Sequence, residues 1–449
     1  MSSGRKIKKI WLALGTPFQV NFFAPLLDRF RNDYELLVTA RNHDTIFQIL
    51  DAKGIDYIPL GKHGGKNLDG KLLAYAENIK EMIPLVKREK PDLLLTERWP
   101  EAVRVAFGFN IPSWAIFFDE RETHVNQMVF PLVSKVFAPR FYDIRDLYRG
   151  GVTDAERVMW FNGFHTSYLK GTASDSTDFS GQRPGKVLIR PEPEFATFFH
   201  EQKPILDDAV KILRAKQGKE IDFELNVFPR SESQAKRFSE MGVPTMEYST
   251  NNCPVADVDV ALGAAETMLM EALVLCKPAI SSIYWTPSKP VLELHKYIPH
   301  STDPEQIANH VIKYLDPEEN RSFHQRAKLL VDSMDNPIDL IVQEIERQNL
   351  GSPVISVRNK RRSRMEILMD IVQATTFRPV RISQIIKDAN IAYSELRSLM
   401  DKLESRGLIK GEDSYDGRFY QVTGTGIELL EEYRRLRGQL MVDEATNGN

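Results

Sequence analysis

The chain has 449 residues, a length that predicts two or three domains. Hydrophobic residues make up 42% and charged residues 27% of it, and the net charge is -3, which is typical of an ordinary globular protein. Cys253 and Cys276 are the two cysteines and form no CxxC pair, so we expect neither a disulfide scaffold nor a cysteine-based metal site. No apolar run reaches the ~18 residues of a membrane span, and the chain start lacks the apolar core of a signal peptide. We therefore expect a cytoplasmic protein with no membrane span.

The first third of the chain alternates short apolar runs with helical patterns. Strands are predicted over residues 9–14, 35–39, 57–60, 92–96, 113–118 and 135–138. Helices are predicted between them over residues 22–30, 44–53, 70–89 and 101–107. This alternation is typical of an α/β fold with a parallel sheet covered on both faces. We assign residues 1–165 to an N-terminal Rossmann-like lobe.

The same pattern restarts after a polar stretch at residues 172–185. Strands are predicted over residues 186–189, 222–227, 245–248, 258–261 and 278–281. Residues 166–350 are therefore assigned to a second Rossmann-like lobe. Two doubly wound lobes in series place a ligand cleft between them, outside the carboxyl ends of their strands.

A small-residue turn follows the first predicted strand, at the edge where the cleft should lie. It contributes four candidate ligand-binding residues, Gly15, Thr16, Gln19 and Asn21. The turn precedes a helix, and the free N–H groups at a helix start suit an anionic or sugar ligand.

Candidate proton-transfer groups follow two further strands of the first lobe. His63 lies in a glycine-rich turn, which either lets backbone approach a ligand closely or is an ordinary turn. Asp119, Glu120 and Glu122 follow the strand at residues 113–118. Carboxylates there could act as a general base or hold hydroxyl groups, or they could belong to a solvated loop.

Two arginines end neighbouring strands of the second lobe. Arg190, followed by Glu192, ends the strand at residues 186–189, and Arg230 ends the strand at residues 222–227. Both should converge on one sheet edge, where a pair of guanidinium groups suits a diphosphate. The alternative is that each arginine pairs with a local acid.

A strand, a small-residue turn and a helix follow in the second lobe. Gly263 and Thr267 flank the start of this helix, and Glu271 lies one turn into it. A carboxylate at that place could accept hydrogen bonds from both ribose hydroxyls of a nucleotide. Alternatively, Glu271 is a surface residue of the helix.

The end of the chain has the periodicity of a winged helix-turn-helix. Apolar residues recur at helical spacing in two short runs, Ile382, Ile385, Ile386 and Ala389, then Leu396, Leu399, Met400 and Leu403. A hairpin is predicted at the dipeptide 416–417, between two β-rich runs. We assign residues 351–362 to a basic linker, 363–440 to a winged helix and 441–449 to a polar tail.

Charge in this region favours contact with double-stranded DNA. Residues 358–410 contain twelve Lys/Arg and six Asp/Glu, in a chain whose net charge is -3. The polar face of the second helix and the predicted wing supply the candidate DNA-binding residues, Tyr393, Ser394, Arg397, Ser398, Lys402, Lys410 and Arg418. The alternative is a protein-docking module, since winged helices serve in both ways.

Several segments carry a resemblance to known families. Residues 22–26, 39–41, 61–64, 100–106, 162–163, 190–192, 229–230 and 263–278 together resemble a largely archaeal domain-of-unknown-function family. That family is similar to the glycosyltransferase-B superfamily, which includes the N-acetylglucosaminyltransferase of peptidoglycan synthesis and the UDP-N-acetylglucosamine 2-epimerases. Residues 389–396, 407–409 and 422–426 resemble the winged helices of small archaeal regulators.

The resemblance implies a sugar nucleotide as substrate or ligand, bound mainly by the second lobe, and no further cofactor. In the superfamily, a glutamate seven residues before a Lys-Pro or Gly-Pro step binds ribose, and Glu271 stands seven residues before Pro278. Two departures argue against turnover. Ala265 and Glu266 replace the usual Gly-Gly pair, and an acid at a helix start repels phosphate. Gln19 and Asn21 stand near positions where the family tends to carry histidines.

Two hypotheses from different classes therefore stay open. The first is a glycosyltransferase or sugar-nucleotide epimerase with an appended DNA-binding winged helix. The second is an inactive, ligand-sensing transcription regulator, in which lobe closure repositions the winged helix. A homodimer formed through the last helix would match a two-fold DNA site.

Overall fold

The computed structural model describes three sheets and the helices that cover them. The described residues are 6–42, 44–62, 64–65, 67–172, 183–194, 204–218, 222–246, 253–349, 363–376, 379–389, 391, 393–415, 417–430 and 432–433. Within them the three sheets have seven, four and three strands, in chain order.

The first lobe is built on the seven-stranded parallel sheet. Its strands are β1 (Lys9–Leu14), β2 (Glu35–Asn42), β3 (Ile58–Lys62), β4 (Leu93–Thr96), β5 (Ser113–Ile116), β6 (Lys135–Pro139) and β7 (Val158–Phe161). Its helices are α1 (Pro17–Phe30), α2 (Asp44–Ala52), α3 (Leu68–Glu89), α4 (Pro100–Gly108), α5 (Thr123–Val129) and α6 (Ile144–Arg149). The strand order β3-β2-β1-β4-β5-β6-β7 reverses direction beside β1. Parallel sheets of this kind bind ligands in the crevice at such a switch point.

Alternation along β1 shows how the sheet is covered on both faces. Ile10 and Leu12 pack into one apolar cluster with α1 and α2, whereas Trp11 and Ala13 pack into another with α3 and α4. All four side chains are fully buried. Successive side chains of a strand point to opposite faces, so a continuous apolar run is what a strand buried on both sides requires.

The second lobe is built on the four-stranded parallel sheet, in the order β11-β10-β8-β9. Its strands are β8 (Gly185–Arg190), β9 (Phe223–Val227), β10 (Val260–Gly263) and β11 (Ala279–Ser281). The helices that follow are α7 (Leu206–Lys216), α8 (Glu232–Glu240), α9 (Glu266–Val274), α10 (Lys289–Leu294), α11 (Pro304–Tyr314), α12 (Pro317–Asp332) and α13 (Pro337–Asn349).

The last of these helices returns to the first lobe. Ile338, Ile341 and Ile345 of α13 are buried in the same apolar cluster as α1. The amide of Asn349 donates to the Ile7 carbonyl oxygen over 3.1 Å. Residues 166–350 are therefore not the second lobe alone, because α13 completes the core of the first.

The third sheet belongs to a separate C-terminal unit with its own apolar core. Its elements are α14 (Arg364–Ala374), β12 (Val380–Arg381), α15 (Ile382–Asp388), α16 (Tyr393–Ser405), β13 (Ile409–Ser414) and β14 (Gly417–Val422). The strands are antiparallel in the order β12-β14-β13, and residues 424–430 are helical. The predicted winged helix-turn-helix is confirmed in this unit. The predicted linker at residues 351–362 and the tail at 441–449 lie outside the described residues.

Most predicted elements are present with boundaries moved by a few residues, and three differences have physical reasons. Helix α1 begins at Pro17 rather than at residue 22, because the Thr16 hydroxyl caps it and proline suits the first helical position. Strand β7 is missing from the prediction, since four residues after a polar turn give a weak signal. Of the strand predicted at 245–248, Thr245 forms an isolated bridge to Val227, and residues 247 and 248 lie outside the described residues.

No helix among the described residues is both long enough and apolar enough to cross a membrane. No group of three or more His, Cys, Asp or Glu side chains in that part of the chain is arranged to hold a metal ion.

The close approach of β8 and β10 makes a first prediction. A Cβ atom at Gly263 would lie 2.6 Å from the Arg190 carbonyl oxygen. We expect Gly263→Ala to lower the free energy of unfolding by about 1–3 kcal/mol, because the backbone of β8 must move. Urea denaturation measures the change. Gly108→Ala is the control, since no atom lies within 4 Å of a Cβ there. Equal stability of the two variants would contradict the prediction.

Candidate functional site

Two arginines meet at the carboxyl ends of β8 and β9, as the sequence predicts. Nη1 of Arg190 donates to the carbonyl oxygens of Phe228 and Pro229 over 2.7 and 2.8 Å. The Arg190 guanidinium also lies over the Phe228 ring, 4.3 Å from its centroid. Nε of Arg230 donates to the Pro191 carbonyl oxygen over 3.1 Å. Each arginine thus holds the loop that follows the other's strand, which fixes both guanidinium groups at one edge of the sheet.

Glu271 lies beside this pair, in the middle of α9. Burial raises the pKa of its carboxyl to about 8, and the positive charge of Arg190 acts in the opposite direction. The charge of Glu271 also helps to raise the pKa of Tyr168 and of Cys253, for which burial is the larger cause. No described residue donates a hydrogen bond to the Glu271 carboxyl. Glu271 is half-buried, and its carboxyl can therefore accept hydrogen bonds from a molecule bound at the strand ends.

Two other predicted ligand residues of the second lobe have structural roles instead. Glu192 is fully buried, and its Oε1 accepts hydrogen bonds from the backbone N–H groups of Ile205 and Leu206 over 2.9 and 3.0 Å. Glu192 therefore caps the start of α7. Gly263 is explained by the close approach of β8 rather than by a ligand. The prediction that these two residues bind ligand is corrected accordingly.

The start of α9 faces the first lobe. Thr267 is the second residue of this helix and is partly buried. Ala265 precedes the helix and supplies no side-chain cap. Glu266 accepts a hydrogen bond from Nη2 of Arg121 over 2.9 Å and another from the Ser288 hydroxyl over 2.9 Å. Glu266 thus forms an ion pair with Arg121 of the first lobe.

Asp119 and Glu120 are used in the same contact region. Asp119 accepts two hydrogen bonds from the Arg121 side chain, over 3.0 and 2.9 Å. Burial raises the pKa of Asp119, but Arg121 outweighs burial and holds this pKa below its usual value. Glu120 accepts from the backbone N–H of Lys289 over 2.8 Å and from the Tyr142 hydroxyl over 3.3 Å. In this arrangement Glu120 joins the two lobes and Asp119 holds Arg121, so both carboxylates are poorly placed to take a proton from a substrate.

The remaining predicted proton-transfer residues divide into two cases. His63 lies outside the described residues. Glu122 is exposed and precedes α5 without capping it through its side chain.

The polar groups of the predicted turn after β1 are bonded to other groups of the protein. Nε2 of Gln19 donates to Oε2 of Glu97 over 2.9 Å, and Oε1 of Gln19 accepts from the Gly15 N–H. The Thr16 hydroxyl donates to the same carboxylate over 3.4 Å. Oδ1 of Asn21 is buried without a partner in the described part of the chain. Gln19 therefore holds the turn closed, and Asn21 keeps an unused acceptor.

Four polar residues near the first-lobe sheet edge were missed by the sequence predictions. Glu97 and Arg98 follow β4 and bond to each other over 2.9 Å. Arg41, the next-to-last residue of β2, lies over the Trp99 ring with its guanidinium carbon 5.0 Å from the ring centroid, and burial lowers its pKa. His165 packs against Phe18 and Phe118, and burial lowers its pKa to about 3. The strand-end rule could have identified Glu97, Arg98 and Arg41, whereas no sequence pattern marks His165.

The winged helix presents part of its predicted polar face to solvent. Tyr393, Arg397, Ser398 and Lys402 of α16 are exposed, opposite a buried face of leucines. Ser394 lies in the same helix, and its side chain is not among those that the structure describes.

The two cations predicted in the wing have acidic neighbours. Lys410 pairs with Glu412 over 2.8 Å, and Arg418 pairs with Glu404 of α16 over 2.5 Å. These pairs reduce the positive charge that the wing offers to a phosphate backbone.

The fold defines the class of this protein. It has two parallel sheets covered by helices, and a winged helix follows them. Residues 8–350 match the family described as "Protein of unknown function (DUF354)", and the chain belongs to this family. Residues 361–440 match the family described as "Winged helix-turn-helix".

Known proteins with similar sequence or structure agree with this class. "Uncharacterized protein MJ0665" of Methanocaldococcus jannaschii is 24% identical over 362 residues, which cover 75% of this chain and 97% of that protein. The UDP-GlcNAc 2-epimerase of Neisseria meningitidis, solved bound to UDP-GlcNAc, is similar with a TM-score of 0.54 and 15% identity, over 76% of this chain and all of that one. A glycosyltransferase of Rickettsia africae is similar with a TM-score of 0.51 and 12% identity, over 78% of this chain and 100% of that one. At such low identity the solved structures show a shared fold.

The raised pKa of Glu271 makes a second prediction. A carboxyl whose pKa is about 8 when folded and about 4.3 when unfolded stabilises the fold at low pH, and this contribution is lost as pH rises between the two values. We expect wild type to lose stability relative to Glu271→Gln between pH 6 and pH 8, by up to about 1 kcal/mol per pH unit. Thermal unfolding at several pH values measures this difference.

The control for this experiment is Glu224→Gln, which changes an exposed glutamate of β9. Its unfolding temperature should follow that of wild type at every pH. Parallel curves for wild type and Glu271→Gln would show that the carboxyl is not held in a raised-pKa site.

Proposed function

We propose that the cleft binds a sugar nucleotide, with the nucleotide on the second lobe. In this proposal Arg190 and Arg230 contact the diphosphate, and Glu271 accepts hydrogen bonds from the ribose hydroxyls. The observation that carries it is the half-buried Glu271, whose carboxyl lies near Arg190 and has no hydrogen-bond donor among the described residues. The UDP-GlcNAc bound to the Neisseria meningitidis epimerase, a protein of similar fold, supports a uridine nucleotide as the first candidate.

The physical basis is a half-buried carboxyl that no described residue satisfies. Two ribose hydroxyls would supply the hydrogen-bond donors that it lacks. The arginines add a positive field at the adjacent strand ends. Their side chains are held by backbone carbonyl groups, so they need little reorganisation to receive a phosphate.

The proposed activity is glycosyl transfer or epimerisation of the bound sugar nucleotide. A second candidate, ligand sensing without turnover, is favoured by one group of contacts. Asp119 and Glu120 are engaged between the lobes, and Gln19 is bonded to Glu97. Incubation with UDP-N-acetylglucosamine, followed by chromatography of the nucleotide products, separates the two candidates. Release of UDP or formation of the 2-epimer supports an enzyme, whereas binding without any product supports a sensor.

We also propose that the winged helix contacts double-stranded DNA through the exposed face of α16. The excess of Lys and Arg over residues 358–410 supports this assignment. Tyr393, Arg397 and Lys402 are exposed on one helix of the size that enters the major groove.

Ligand binding makes a third prediction. We expect UDP-N-acetylglucosamine to bind wild type, and both Glu271→Gln and Arg190→Lys to bind it about tenfold more weakly. Glu271→Gln replaces one of the two carboxyl oxygens with an amide nitrogen that cannot accept from a ribose hydroxyl, and Arg190→Lys loses the planar guanidinium fork. Isothermal titration calorimetry measures the affinities, and thermal unfolding confirms that each variant is folded. Glu224→Gln is again the control. Wild-type affinity in both variants would refute the assigned nucleotide position.

DNA binding makes a fourth prediction. We expect Arg397→Ala to weaken binding to a random-sequence duplex about tenfold and to reduce the salt dependence by about one ion, because one phosphate contact is lost. Gel shifts at several salt concentrations measure both effects. Lys80→Ala, an exposed lysine of α3 in the first lobe, is the control. Weak binding that neither salt nor Arg397→Ala changes would favour the protein-docking alternative.

A further inference from the structure

A chain of charged and polar groups crosses the cleft between the strand ends of the two lobes. Asp119 holds Arg121 through two side-chain hydrogen bonds, and Arg121 in turn donates to Glu266. The other oxygen of Glu266 accepts from the Ser288 hydroxyl. Glu266 is thus held on both sides, by a cation of the first lobe and a hydroxyl of the second.

The place that Glu266 occupies is the first position of α9. The free N–H groups of a helix start favour a negative charge, and Ala265 offers no side chain to satisfy them. The turn before this helix lies against Arg190, because the backbone N–H of Ala264 donates to the Arg190 carbonyl oxygen over 3.1 Å. The helix start, Arg190 and Arg121 therefore surround the same part of the cleft.

We propose that Arg121 is a diphosphate-binding residue contributed by the first lobe, and that the Glu266 carboxylate occupies its guanidinium until a nucleotide diphosphate displaces it. This inference rests on the proposed function, because it concerns the diphosphate of the same ligand. It names a residue on the lobe opposite to Arg190 and Arg230, so the ligand would be held from both sides.

The exchange is favourable because one anion replaces another. Arg121 has a rigid fork, and Asp119 keeps that fork in place through two bonds that the exchange does not break. A diphosphate carries more negative charge and more acceptor oxygens than one carboxylate, so it is the stronger partner. Burial raises the pKa of Glu266, while Arg121 and Ser288 act in the opposite direction, which indicates a carboxylate that depends on these two partners.

The same exchange gives Glu266 a role at the start of α9. While Arg121 neutralises it, the Glu266 carboxylate stabilises the closed contact between the lobes. Once phosphate takes Arg121, the carboxylate is left near a like charge, which weakens ligand binding. Glu266 therefore acts as a built-in competitor whose removal should improve binding of the diphosphate and leave the nucleoside unaffected.

The test compares UDP with uridine, which lacks the diphosphate, in calorimetric titrations of the full chain. We expect Glu266→Gln to bind UDP about tenfold more tightly than wild type, and Arg121→Gln to bind it about tenfold more weakly. Neither variant should change the affinity for uridine. Glu232→Gln is the matched control, because Glu232 is also the first residue of a helix, α8, and is exposed.

Each result has one interpretation. Tighter UDP binding by Glu266→Gln with unchanged uridine binding supports the inference, even where wild type binds UDP too weakly to measure. Unchanged UDP affinity in Glu266→Gln, or equal changes for UDP and uridine, overturns it while leaving the proposed function intact. Absence of UDP and uridine binding in wild type and in every variant overturns the proposed function and the inference together.

Discussion

The parallel direction of the strands is the constraint on which the arrangement of this protein depends. All strands of a parallel sheet end at the same edge, so residues far apart in sequence meet there. In the second lobe this brings Arg190 and Arg230 together, and in the first lobe it gathers Glu97 and Arg98 near the turn after β1. The polar groups of the cleft follow from strand topology, whereas the buried faces of the strands supply the apolar cores.

Charge balance decides which of these polar groups remain open to a ligand. In the first lobe, Glu97 is satisfied by Gln19 and Arg98, and Asp119 is satisfied by Arg121. In the second lobe, Oε1 of Glu192 accepts from two backbone N–H groups at the start of α7. Glu271 differs from all of these, because Arg190 influences it only through charge and no described donor reaches it. That difference is why the nucleotide assignment centres on this residue.

The sequence was a good guide to the fold because buried strands and amphipathic helices have strong periodic signals. Val187, Leu188 and Ile189 are each fully buried, as expected for a strand covered on both faces. The winged helix followed equally from the spacing of Leu396, Leu399 and Leu403. The return of α13 to the first lobe was not predictable, since its apolar face would fit either core and only long-range packing decides between them.

The site was less predictable than the fold, because a strand-end position does not reveal the partner of a side chain. The sequence correctly predicted that Arg190 and Arg230 lie at one edge of the second-lobe sheet. In contrast, Glu192 caps the start of α7, and Gly263 is needed for the close packing of β10 against β8. Arg121 drew no attention in the sequence, because its importance comes from Glu266, which lies 145 residues away. Such pairings between lobes depend on tertiary structure and leave no local pattern.

The attachment of the winged helix bears on whether a change at the lobe contact can reach that unit. The chain passes between the lobes near residues 162–170 and again near residues 332–337. Asn162 and Asp335 bond to each other there, with the Asn162 N–H donating to the Asp335 carboxylate over 2.7 Å. Ser333 lies in the same segment and accepts a hydrogen bond from Gln373 of α14 over 3.1 Å. If one lobe moves against the other, the backbone of these two connecting segments must change conformation. Because α14 is bonded to one of them through Ser333, such a movement would be felt by the winged helix.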